Sequence, residues 1–109
     1  LVCAHAEMIA IQQASQHLNN YRLSQCDLYS TLEPCPMCAG AIIQARIKRL
    51  IIGAEEPKTG AAGSVVDLCA IHGFNQHTSV LKGVLQEDCQ NLLKQFFMQK
   101  RLNNQHLIK

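Results

Sequence analysis

Four residues in two separate stretches carry the chemistry of this chain. His5 and Glu7 stand near its start, and Cys35 and Cys38 follow in Pro34-Cys35-Pro36-Met37-Cys38. One imidazole and two thiolates are a ligand set that suits zinc, and three protein ligands leave the fourth position of a tetrahedral ion open. An open position holds a water that the metal acidifies toward neutral pH. Glu7 is not needed as a ligand, and its spacing from His5 puts a carboxylate near that water. Metal, water and carboxylate together make a hydrolytic site with its own general acid/base.

Other readings of the same residues are weaker. A redox C-x-x-C pair explains neither His5 nor Glu7. A structural zinc site needs a fourth protein ligand from Cys26, Cys69, His72 or His77, and none of these has knuckle spacing to a partner. Cys3, Cys26, Cys69 and Cys89 read as small apolar residues, and His17 and His106 as surface helix residues. Glu7 has its own structural reading, an acid favoured by the positive end of a helix.

The surrounding elements must bring the two stretches together. Met8, Ile11, Ala14 or Ser15, and Leu18 recur at helical spacing, which predicts a helix over residues 4–18 ended by Asn19-Asn20. Residues 26–32 alternate as a strand. Pro34 and Pro36 open a second helix, predicted from Pro36 to Ala45, because proline is tolerated in a first helical turn. Leu50 to Ala54 is a short buried strand, residues 55–64 form a loop by composition, and Val80 to Val84 is a third strand. From Glu87 onward Cys89, Leu92, Leu93, Phe96 and Phe97 follow a helical apolar stripe. Strands alternating with helices predict an α/β architecture with parallel pairings. In that arrangement the thiolates of the second helix start and the imidazole of the first converge if the two helix N-termini face each other. Those N-termini also favour anionic sulfur.

Composition sets wider bounds. A chain of 109 residues is read as a single domain, residues 1–109. An apolar fraction of 48% suits a globular core, and a net charge of +2 does not by itself argue for nucleic acid. Charge distribution says more: no acidic residue follows Asp88, while Lys94, Lys100, Arg101 and Lys109 are basic. The six cysteines form no dense framework, which fits a reduced, cytoplasmic compartment. No apolar run approaches the ~20 residues that span a bilayer, so no membrane partner is expected.

The pattern H-x-E…P-C-x-x-C is that of zinc nucleobase deaminases, and the chain resembles the bacterial tRNA-specific adenosine deaminases within that group. The resemblance rests on Ala4-His5-Ala6-Glu7, Asn20-Tyr21-Arg22-Leu23, the run from Leu28 to Ile42, Lys58-Thr59-Gly60-Ala61-Ala62-Gly63-Ser64 and Phe96-Phe97. It covers nearly all of residues 4–101. It implies a three-layer α/β/α cytidine deaminase-like fold around a central mixed sheet, normally as a homodimer. It also implies one zinc per subunit, held by His5, Cys35 and Cys38, with Glu7 as the proton shuttle. The implied reaction is hydrolytic conversion of the wobble adenosine of a tRNA anticodon loop to inosine, Glu7 moving a water proton to the ring nitrogen and then to the leaving amine. A free-base or nucleoside deaminase acting on guanine or cytosine compounds is the alternative within the same chemistry. An inactive zinc-binding module is the alternative outside it.

Recognition of the anticodon stem-loop is expected from Lys58, Phe96, Phe97, Lys100 and Arg101. Gly60-Ala61-Ala62-Gly63 has little side-chain bulk, so a nucleotide backbone is expected to approach it closely, with Lys58 on a phosphate. The basic end of the chain beside an aromatic pair suits the same partner, although a plain amphipathic helix with a solvated basic face would look alike. Leu1-Val2-Cys3 departs from the family's usual Asp-Pro-Thr, and the family's first helix and strands are missing from this stretch. A break between Cys3 and Ala4 is therefore expected.

Overall fold

The structure, a computed structural model, describes the backbone of residues 5–108 and the side chains of residues 5–102. The expected break between Cys3 and Ala4 lies outside the described residues. In chain order the elements are α1 (Ala6–Leu18), β1 (Asp27–Leu32), α2 (Pro36–Gln44), β2 (Arg49–Ala54), a short 3-10 turn (Leu68–Ala70), β3 (Ser79–Leu81) and α3 (Gln86–Ile108). Among the described residues the sheet has the order β1-β2-β3, with both pairings parallel. Parallel pairing follows from the crossover connections, which return the chain to the same end of the sheet.

Register fixes which side chains share a face. Leu28, Leu50 and Val80 are partners across the three strands, and so are Tyr29, Ile51 and Leu81. The first row faces the core, where Leu50 and Ile52 pack with Ile42, Ala45, Ile47 and Leu23, joined at the rim by Ile11 and Ala14 of α1. Burial of such side chains contributes roughly 1.5–3 kcal/mol each. The second row is covered only in part: Ile51 is buried, but Tyr29 and Leu81 are 71% and 58% exposed. On this face α3 approaches β2 at Gly53, where any Cβ would collide with Cys89. Helices thus flank the sheet on both sides, giving the α/β/α layering of a cytidine deaminase-like fold.

Three departures from the sequence reading stand out beside shifts of one residue at other boundaries. α1 starts at Ala6 because His5 is its extended N-cap. β3 stops at Leu81, before the predicted Val84, because Gly83 and Leu85 take positive φ and turn the chain. The Val84 amide still bonds to the Ile52 carbonyl at 3.1 Å, so the turn stays attached to β2. The predicted apolar stripe of α3 is the largest departure. Cys89 and Leu93 are half-buried, whereas Leu92, Phe96 and Phe97 are exposed. Of the predicted stripe, Cys89 and Leu93 are the covered residues.

Among the described residues no helix is long and apolar enough to cross a membrane. Cys26, Cys35, Cys38, Cys69 and Cys89 are all free thiols.

Candidate metal centre and adjoining loop

Two helix starts make the centre. His5 is the N-cap of α1, and Cys35 is the N-cap of α2 with Pro36 in the first turn. Neither cap uses its side chain to bond its own helix, so the imidazole and the thiol are free to point outward. Cys38, one turn into α2, lies on the same side as Cys35 and is fully buried. The His5 Nδ1 lies 3.5 Å from the Cys35 sulfur and 3.3 Å from the Cys38 sulfur. The three ligand atoms fall within 4.8 Å of one another, and they are the one such group among the described residues. Cys26, Cys69, His72 and His77 do not join it.

This donor set fits zinc. Bonds of about 2.3 Å to sulfur and about 2.0 Å to nitrogen, at tetrahedral angles, give an S···N edge of roughly 3.5 Å. Burial pushes the Cys38 thiol well above the ordinary thiol range, and the nearby Glu7 carboxylate and Cys35 push it the same way. Glu7 is therefore beside the ligand cluster, half-buried in the first turn of α1.

A second feature was not anticipated from the sequence. Glu33, the residue before Pro34, is 3% exposed. Its Oε1 accepts the Glu56 amide at 3.1 Å and the Ser64 hydroxyl, and its Oε2 accepts the Ala62 and Ser64 amides at 2.8 and 3.0 Å. Burial raises the carboxyl pKa, but these donors outweigh it and hold the group below the usual carboxylate range. The loop after β2 thus wraps its backbone around one carboxylate. Gly60 permits the close approach, since a Cβ there would lie 2.5 Å from Glu33 Oε2 and 2.5 Å from the Glu56 carbonyl. Gly60, Ala61 and Ala62 are buried. Their small size therefore serves packing onto Glu33. Lys58, Thr59, Gly63 and Ser64 form the exposed part of the loop. The clue available in the sequence was an acidic residue directly before the Pro-Cys turn, opposite a run of amides without bulky side chains.

The other expected contact residues divide. Phe97, Lys100 and Arg101 line a cleft of about 880 Å³, whose far wall is Leu32, Ala54, Glu55 and Glu56. Leu32 and Ala54 are the last residues of β1 and β2, the carboxyl ends where open α/β sheets bind ligands. Lys58 and Phe96 do not line that cleft. Phe96 instead packs edge-on against Phe97, with ring centroids 5.5 Å apart.

Residues 1–101 match the family of MafB19-like deaminases. The chain belongs to that family. It is 44% identical over 98 residues to a tRNA-specific adenosine deaminase of Bacillus subtilis, covering 90% of this chain and 61% of that protein. A tRNA-specific adenosine deaminase of Haemophilus influenzae is 48% identical over 98 residues, covering 90% and 57%. This chain therefore spans about three fifths of the length of these curated relatives. Among solved structures, one from work on A-to-I editing by tRNA:A34 deaminases superposes with a TM-score of 0.76 at 41% identity, covering 83% of this chain and 65% of that one. A guanine deaminase of Nitrosomonas europaea superposes with a TM-score of 0.70 at 23% identity, covering 86% and 57%, and shares the fold.

Proposed function

We propose that this chain carries the catalytic site of a zinc-dependent hydrolase that converts the wobble adenosine of a tRNA anticodon loop to inosine. The observation that carries the reading is the convergence of His5, Cys35 and Cys38 at two facing helix starts, with Glu7 beside them. Relatives of 44% and 48% identity named for this substrate support the choice of base and of RNA.

His5, Cys35 and Cys38 would hold one zinc per subunit, and when bound it supplies the Lewis acidity that makes a water nucleophilic near neutral pH. Glu7 does the proton work. Its carboxylate takes a proton from the attacking water and delivers it to the ring nitrogen, then takes the hydroxyl proton of the adduct and delivers it to the exocyclic amine, which leaves as ammonia. Water adds at the carbon bearing the amine, the C–N bond breaks, and a carbonyl remains. An anticodon loop suits such a site because its base is already partly unstacked.

Lys58, Phe97, Lys100 and Arg101 supply charge and one aromatic face for the stem-loop, with Phe96 bracing Phe97. A cytoplasmic setting agrees with five free thiols among the described residues. A second copy of the chain is the further partner that the family resemblance implies. Incubating the zinc-loaded protein separately with an anticodon stem-loop RNA, with cytidine and with guanine tests the reading. Ammonia release from the RNA alone is expected, and turnover of cytidine or guanine in its place overturns it.

A further inference from the structure

We propose that Glu33 is a positioning residue that locks the loop of residues 56–64 to the metal turn, so that a nucleotide bound at the metal centre meets Lys58 in fixed register. This rests on the reading that the loop faces RNA. Glu33 follows the last residue of β1 and precedes Pro34-Cys35, so one short stretch both grips the loop and carries a ligand. Its two oxygens take four donors, three of them loop amides and the fourth the Ser64 hydroxyl. The grip continues beside it. The Ala61 amide bonds to the Pro34 carbonyl at 2.9 Å, and the Lys82 ammonium donates to the Ala62 carbonyl at 2.8 Å. The Ala62 residue is thus held at its N–H by a carboxylate and at its C=O by a cation. Ordering a loop of small residues costs backbone entropy at every position. Charge-assisted bonds to a buried carboxylate offset that cost before substrate arrives, and a pre-ordered loop binds more tightly than one ordered on binding.

The experiment compares Glu33→Gln, Ser64→Ala and Lys82→Met in the zinc-loaded protein. Gln keeps the shape but turns an amide N–H₂ toward loop N–H donors. Ser64→Ala and Lys82→Met loosen the loop without touching the metal turn, which keeps the test decisive if Glu33→Gln folds poorly. With anticodon stem-loop RNA, each change is expected to raise KM by about tenfold. The kcat should stay within about threefold, with zinc content unchanged. Glu33→Gln combined with Ser64→Ala should be less than additive, because both act on one bond set. An unchanged KM in all three variants overturns the proposal. So does a fall in kcat and zinc content at constant KM, which would make Glu33 a support for the metal turn alone. Amide exchange at Ala62 and Ser64 separates this proposal from the functional reading. A parent protein that makes no inosine defeats that reading, while the lock is still tested by exchange about tenfold or more faster in Glu33→Gln. Unchanged exchange overturns it.

Discussion

The His5 Nδ1 and the Cys38 sulfur lie 3.3 Å apart although 33 positions separate them in the chain. Nothing local holds them there. The pairing is made by α1 and α2, which pack on one face of the sheet and bring their N-termini to the same place. Helix starts carry free N–H groups and partial positive charge, so thiolates are favoured at that spot. A cation then relieves the repulsion between the two sulfurs.

The metal prediction follows directly. Freshly prepared protein should contain one zinc per chain, and His5→Ala or Cys38→Ala should each remove most of it. Removing the metal with a chelator should lower the melting temperature, because ligand binding to the folded state alone adds stability by mass action. Metal analysis with no zinc, or an X-ray absorption spectrum showing four protein ligands, would contradict the three-ligand site.

Glu7→Gln should leave zinc content and melting temperature nearly unchanged and lower kcat by about 10²- to 10⁴-fold, the range for loss of a general acid–base group. Gln preserves the shape of the first turn of α1 and cannot carry the proton. Activity within a factor of a few of the parent would mean that Glu7 is only a helix-terminal acid.

Much of this arrangement was legible in the sequence. The second helix start, the first two strands and the Cys35–Cys38 pair are encoded by short-range signals: Pro at a helix start, apolar runs and i, i+3 spacing, whereas the approach of His5 to that pair is made by the tertiary fold. β3 and α3 were less legible. The apolar run Val80 to Val84 looks continuous as a strand, but Gly83 lets the backbone leave the sheet early. In α3 the apolar spacing is helical, yet spacing does not tell how much of an apolar stripe the sheet covers, and Leu92 and Phe96 are exposed. Glu33 was hidden for a different reason. Its partners are backbone amides far along the chain, and a carboxylate that binds backbone leaves no side-chain pattern.

Core packing gives a stability prediction. Ile52 is fully buried between the sheet and α2. Ile52→Ala should cost about 2–5 kcal/mol, from the transfer energy of the deleted atoms and the cavity left behind, read as a lower urea midpoint with the slope unchanged. A cost below about 1 kcal/mol would mean that the core is not closed at this position.

The basic face of α3 should act through phosphates. Lys100→Ala with Arg101→Ala should raise KM for tRNA and make binding less salt-dependent, the slope falling by roughly 0.7 for each phosphate no longer neutralised. Zinc content and melting temperature should hold. Unchanged binding and slope would leave these residues as solvated charge, with recognition carried by the loop around Lys58.

The central claim is tested most directly by the product itself. Unmodified tRNA is incubated with the zinc-loaded protein, digested to nucleosides and analysed by mass spectrometry, with the modified position mapped by sequencing. The account predicts inosine at the wobble position, formed in step with ammonia and abolished by Glu7→Gln. A tRNA left fully as adenosine, or inosine equally abundant with Glu7→Gln, would contradict it.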